Sequence, residues 1–284
     1  MTRARRWSLW PKRTAYELNG ISGLAGLGGA AFGVGTWAAV SGPVGLVLSG
    51  AGLLITAGTL GYAIFRAVPP KLRRADTLVG QTVDLQDLAS VRELLPRLSI
   101  VGPSMAGKTT LKDRLTFSGP TTTRTQKMTA FVAATQSAPP RFIAILDGGG
   151  EKYPQQFRLA EHCDCLCLVV DHNASDVDST VDPARLAQHE EFLRQIRHYL
   201  DENSCAPKRW IRVLVNKRDL WSTATAAEAA MLATFYTKEL SHWKHGPRSG
   251  DVELILHSNS DPIDIAKFAE LMKNTAVSLG AKNA

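Results

Sequence analysis

The sequence predicts an α/β protein: a three-layer domain with a mostly parallel six-stranded sheet over residues 97–284, preceded by an α-helical transmembrane hairpin. Three observations predict it. After Pro96, apolar runs of strand length alternate with helical patterns, which argues for a parallel sheet covered on both faces. A glycine-rich loop separates the first of those strands from the first of those helices. Upstream, the 45 residues from Ile21 to Phe65 contain no Asp, Glu, Lys, Arg or His. One membrane-spanning helix needs about 20 apolar residues, so this run is too long for one and right for two.

Composition narrows the function classes. The chain of 284 residues is 44% hydrophobic and 21% charged, too apolar for a disordered chain. Four cysteines exclude a disulfide-built scaffold. The net charge of +7 is uneven: residues 1–74 carry nine Lys/Arg against one acid, and residues 75–284 carry 24 against 25. The body is neutral, so a nucleic-acid partner is not expected.

In chain order, residues 1–20 form a basic tail in which Trp7, Trp10 and Tyr16 could sit at a bilayer interface. The hairpin spans 21–66 and breaks at Ser41-Gly42-Pro43. Its second half is rich in Leu, Val and Ile; its first carries six glycines, whose spacing permits close helix contact or self-association. Basic clusters on both sides place both ends in the cytoplasm, making two membrane passes with the main domain cytoplasmic. Residues 67–96 are a linker: Pro69-Pro70 stops any helix, Lys71, Arg73 and Arg74 suit the lipid headgroups, and Leu85, Leu88, Val91, Leu94 and Leu95 have amphipathic helical spacing. Strands are expected at 97–101, 130–135, 141–146, 165–170, 210–215 and 252–257, and helices at 108–117, 184–204, 224–242 and 261–278. The second and third strands leave no room for a helix between them and should form an antiparallel hairpin.

The loop Gly102-Pro-Ser104-Met105-Ala106-Gly107-Lys108-Thr109 matches G-x-x-x-x-G-K-[ST] between a strand and a helix, the context that motif requires. Its backbone N–H groups, with Thr110, would face phosphates; Lys108 would neutralise them and the Thr109 hydroxyl would bind Mg²⁺. Asp147 ends an apolar strand and begins Asp-Gly-Gly-Gly150-Glu151. A carboxylate at such a place is costly unless its charge is used, and Mg²⁺ is the obvious user; Gly150 would bring its N–H to a γ-phosphate. Asn216-Lys217-Arg218-Asp219 is the base-reading element. Asp219 can accept from both the N1–H and the exocyclic amine of guanine, a pair that adenine lacks. Ser258-Asn259 ends the last strand, where a loop could close over the base. A threonine from the Thr-rich stretch would complete the metal site. Thr121, Thr122, Thr123, Thr125 and Thr129 compete, with Thr125 favoured because its separation from Asp147 accommodates the hairpin, and Thr129 second.

Together these stretches make residues 97–280 resemble a small GTPase of the Ras superfamily. The fragment Asp147-Gly-Gly-Gly-Glu151-Lys152 is most similar to the ADP-ribosylation-factor version, and a membrane segment ahead of one such domain resembles the signal-recognition-particle receptor β layout. The resemblance implies a six-stranded sheet, GTP or GDP with Mg²⁺, and regulatory or effector proteins as partners. It assigns Lys108, Gly150 and Glu151 to catalysis and Thr109, Thr125 and Asp147 to the metal. Two departures stand out. Glu151 replaces the glutamine that orients the attacking water, and its charge repels the γ-phosphate. Ser258-Asn259 stands where Ser-Ala is usual. Arg124 is a candidate for a stimulatory arginine supplied within the chain, although its place relative to Thr125 fits poorly.

Some residues invite a metal reading that spacing does not support. Cys163, Cys165 and Cys167 alternate and are expected on one buried strand face; His189 and His198 are too far apart for a single-face pair and are expected at the surface. The sequence therefore points to a membrane-anchored GTP-binding switch. Its rivals are a non-hydrolysing nucleotide-gated scaffold, to which Glu151 points, and a GTP-controlled effector that permeabilises membranes through the hairpin.

Overall fold

The computed structural model describes residues 11, 68, 71–116, 128–135, 137–148, 153–245 and 251–281. The chain divides into two compact units, Met1–Arg73 and Arg74–Ala284. The expected hairpin at 21–66 lies outside the described residues. Among the described residues no helix is long and apolar enough to cross a membrane.

The second unit is built on one sheet. Among the described residues it has seven strands: β1 (Thr82–Asp84), β2 (Arg97–Val101), β3 (Thr129–Ala134), β4 (Phe142–Asp147), β5 (Cys165–Val170), β6 (Trp210–Val215) and β7 (Asp251–Leu256), in the order β1-β3-β4-β2-β5-β6-β7. β2, β4, β5, β6 and β7 run parallel, and β3–β4 is the antiparallel hairpin that the short spacing required. Strands β5 and β6 are buried at every residue, which suits the uninterrupted apolar run of β5; the run of β6 is broken by Arg212, which is buried against Asp251.

The sheet corrects the expected count of six strands. Thr82–Asp84 pairs antiparallel with β3, placing Val83 opposite Ala130. Three residues carry too little pattern to announce a strand; the open edge of β3 recruits them. The helical spacing that follows is realised as a 3-10 helix, Leu85–Ser90, not as an amphipathic α-helix. Leu85 and Leu88, three apart as that helix demands, pack on the core, whereas Leu94 turns out to solvent.

The helices are α1 (Lys108–Thr116), α2 (Tyr153–His162), α3 (Pro183–Glu202), the single turn α4 (Arg218–Trp221), α5 (Ala226–Lys244) and α6 (Pro262–Ala281). Local chemistry sets their starts. Asp182 accepts from Ala184 N at 2.9 Å ahead of Pro183 at the first position of α3. Thr225 and Glu228 form a reciprocal capping box on α5. Helix α2 is an element that the periodicity did not announce.

Two apolar layers flank the sheet. Leu166, Leu168, Val170, Ile211, Val213 and Val215 face Phe192, Leu193, Ile196 and Tyr236 from α3 and α5. Cys165, Cys167, Val169 and Leu214 face Leu111 of α1 and Phe268 and Met272 of α6. The expectation that three cysteines share a face is thus corrected. Cys163 precedes β5 and joins the α3/α5 layer, while Cys165 and Cys167 join the other. All three are buried and free, and burial pushes the Cys163 thiol up to about 12, so it is inert.

Leu168 is fully buried at the centre of β5. Leu168→Ala should destabilise the domain by about 3 kcal/mol and lower its melting temperature by roughly 6–12 °C, measured by thermal unfolding of the full-length protein.

Candidate functional site

β2 hydrogen-bonds to β4 on one side and β5 on the other, so the winding of the sheet reverses at its carboxyl end. Open α/β sheets place their ligand crevice at such a point. The loop Gly102–Gly107 lies there and feeds directly into α1. Glycine is required at two places. A Cβ on Gly102 would lie 2.1 Å from the Val169 carbonyl oxygen. Gly107 has φ +93°, and a Cβ there would meet the Asn216 amide at 2.2 Å and the Asn259 amide at 2.7 Å. Met105 occupies the left-handed region and is exposed. Ser104, Thr109 and Thr110 are exposed too, whereas Ala106 is buried.

Lys108 opens α1 and donates to the Pro103 carbonyl within the loop. Burial and the Arg185 guanidinium hold its ammonium down to about 8, against the opposing pull of Asp171 and Asp147. A buried ammonium with a guanidinium in its field is a charge that an anionic group at this loop would stabilise.

The base-reading element converges on the same loop. β6 ends at Val215, and the buried Asn216 donates its amide to the Ala106 carbonyl at 3.0 Å and accepts the Asn259 N–H at 3.2 Å. Asn259 in turn donates its own amide to the Gly107 carbonyl at 2.9 Å. Lys217, in the left-handed conformation, donates to the carbonyls of Asn173, Ala174 and Ser175. Asp219 is exposed and accepts from the Ser258 hydroxyl at 2.6 Å, which fixes its carboxylate beside the loop after β7. These contacts bring Ala106 and Gly107 of the loop that runs Gly102-Pro-Ser104-Met105-Ala106-Gly107-Lys108-Thr109-Thr110 together with Asn216 and Asn259, and Asp219 together with Ser258, while Lys217 turns to the carbonyls of residues 173–175.

Asp147 ends β4 with Thr129 opposite it in register. Its carboxylate oxygen lies 2.6 Å from Lys112 Nζ, an ion pair the sequence reading did not include. The exposed Thr109 hydroxyl and Asp147 are hard oxygen donors that suit Mg²⁺, which takes one or two protein ligands and completes its shell with water and phosphate. Among the described residues no group of three or more His, Cys, Asp or Glu is ready to hold a metal on its own. Gly150, Glu151, Thr125 and the stretch Thr121–Thr123 lie outside the described residues.

A buried charge cluster beneath the phosphate loop was missed. Asp171, just past β5, accepts from Arg185 Nε at 2.6 Å, lies 2.8 Å from His189 Nε2 and pairs with Lys217 at 3.2 Å. Arg185 also donates to the Ser104 carbonyl at 2.8 Å, joining the cluster to the loop. The expectation of a surface His189 is corrected, because it is fully buried; His198 is exposed. Arg185, His189, Phe192, Leu193 and Ile196 share the inner stripe of α3, a spacing that could have revealed it. From α2, Gln156 accepts the Gly102 N–H at 2.7 Å, tying that helix to the loop as well. Burial would raise the Asp171 carboxyl, but hydrogen bonds from His189 and Arg185 outweigh it and hold it down to about 2.

No family model and no curated protein matches the chain. Solved structures with a similar course of chain include a mutation variant of SsGBP (17% identity, TM-score 0.45, covering 66% of this chain and 57% of that one). Others are the signal recognition particle receptor SRb-GTP/SRX complex from Chaetomium thermophilum (17%, 0.45, 63% and 98%) and a GTP-binding protein from Sulfolobus solfataricus in complex with GDP (19%, 0.42, 80% and 62%). The chain spans 57% of the length of the SsGBP structure. Likenesses this distant assign no function to the chain.

The Asp171 carboxyl is lowered on folding from 3.8 to about 2, so its ionised form stabilises the fold above pH ~4, and that contribution is lost as pH falls through ~2. Asp171→Asn should cost about 3–5 kcal/mol at pH 7 by leaving the buried Arg185 without its carboxylate, while Lys217 keeps Asp176 at 3.0 Å. Urea unfolding should show the gap between wild type and variant shrinking as pH drops from ~4 toward ~2.

Proposed function

We propose that this chain is a membrane-anchored GTP-binding protein that binds Mg-GTP and hydrolyses it to GDP as a molecular switch. The observation that carries the reading is the Asn216 amide, which joins the phosphate loop to the loop after β7 and so sets Asp219 and Lys108 around one crevice. Guanine preference follows from the Asp219 carboxylate, an acceptor for two adjacent donors that adenine does not present together. The Ser258 hydroxyl holds that carboxylate in place.

On this reading each part has a chemical task. Backbone N–H groups of the Gly102–Gly107 loop and the start of α1 receive the phosphates, and Lys108 neutralises their developing charge. Thr109 and Asp147 would hold Mg²⁺, which when bound supplies charge neutralisation across the β- and γ-phosphates. Thr125 would order the first nucleotide-sensing segment, with Thr129 the second candidate. Gly150 would contact the γ-phosphate, and Glu151 would orient the attacking water. The segment 21–66 would anchor the protein as two membrane passes, with the nucleotide domain in the cytoplasm and regulatory or effector proteins as partners. Glu151 also favours a second reading, a non-hydrolysing scaffold gated by nucleotide, because its charge opposes the γ-phosphate.

Purified full-length protein should bind GTP and GDP at least tenfold more tightly than ATP by fluorescence titration or calorimetry. An amide at position 219 presents a donor to the base, so Asp219→Asn should weaken guanosine nucleotides by at least ~1.4 kcal/mol and favour xanthosine nucleotides. Equal affinity for guanosine and adenosine nucleotides refutes the assignment. Single-turnover phosphate release, with Lys108→Ala as the blank, separates the two readings: Mg²⁺-dependent release identifies the hydrolase, and its absence the scaffold.

A further inference from the structure

Lys112 stands one helical turn beyond Lys108 in α1, so the two ammonium groups project from the same face of the helix. Its Nζ lies 2.6 Å from the Asp147 carboxylate and 3.9 Å from Asp113. The Lys112 and Asp147 side chains are 15% and 26% exposed, so solvent screens the pair only in part. Asp147 is also the carboxylate that, among the described residues, this reading assigns to a divalent cation together with Thr109. A single carboxylate thus has two prospective cationic partners, one of them tethered to the chain.

We propose that Lys112 is a built-in counter-cation that competes with Mg²⁺ for Asp147 and thereby sets the Mg²⁺ concentration at which the nucleotide is retained. This rests on the nucleotide-site reading above and adds a positioning residue to it. Lys112 fixes the Asp147 side chain and satisfies its charge before the ion arrives. A divalent cation must then share the carboxylate with the ammonium or push it towards Asp113, and in either arrangement like charges approach one another at a partly buried position. An ordinary ion pair linking α1 to β4 would stabilise the fold without altering the metal dependence.

The test uses the full-length protein loaded with a fluorescent GDP analogue, its dissociation followed across a Mg²⁺ titration. Lys112→Met removes the charge while keeping most of the stem, and Lys112→Arg keeps the charge. The Mg²⁺ midpoint for nucleotide retention should fall ~fivefold in Lys112→Met and stay within about twofold of wild type in Lys112→Arg. Should Lys112→Met fail to give a cooperative melt, Lys112→Gln is read in its place with the same expectation. A neutral variant with the wild-type midpoint, or a higher one, overturns the proposal while leaving the nucleotide reading intact. A wild-type protein that retains no guanine nucleotide at any Mg²⁺ concentration overturns both.

Discussion

The Asn216 amide is the contact on which the rest of the crevice depends. One buried side chain donates to the Ala106 carbonyl and accepts the Asn259 N–H, while its backbone N–H donates to the Val170 carbonyl at 2.8 Å. Segments far apart in the chain are thereby held to a common point. Leaving any of these buried groups unpaired would cost about 1–3 kcal/mol, so the phosphate loop and the base loop cannot be positioned independently. The same crowding excludes any side chain at Gly107, where both amides stand against the backbone. It also brings Ser258 to Asp219, which turns an exposed carboxylate from a mobile surface charge into an oriented acceptor.

Below that joint the domain keeps Asp171, Arg185, His189 and Lys217 in its interior. Buried ions are tolerated only when paired and hydrogen-bonded. Here one carboxylate serves Arg185, His189 and Lys217, while Arg185 also reaches the Ser104 carbonyl and Lys217 reaches the carbonyls of residues 173–175. The cluster braces the underside of the phosphate loop from α3. Burial, and next the Arg185 guanidinium, hold the Lys108 ammonium down to about 8 against the pull of Asp171, a penalty that an anionic ligand would relieve.

The phosphate loop was legible because its chemistry is contiguous: a strand, a glycine-bracketed turn and a helix start follow one another without interruption. Asn216 and Asp219 were legible for the same reason, each lying just after a strand whose six residues are all apolar or buried. Asp171 follows an equally apolar strand, yet no glycine follows it to mark a ligand approach, and its partners lie on another helix. Weighed only against His198, from which it is too far for a shared metal, His189 is expected at the surface. The spacing from Arg185 through Phe192 and Ile196 places it on the inner stripe instead. Nothing local marks Lys112, since only the end of β4 gives its charge a destination.

By itself the sequence determined what depends on short range. The alternation of strands and helices, the burial of β5 and β6 on both faces, the caps of α3 and α5 and the glycine requirement of the loop all follow from local period and local sterics. Tertiary structure decided which carboxylates meet which cations, which sheet layer each cysteine joins, and that Thr82–Asp84 completes the sheet as an edge strand. Those outcomes rest on register and on an unpaired edge, and neither exists until distant segments pack together.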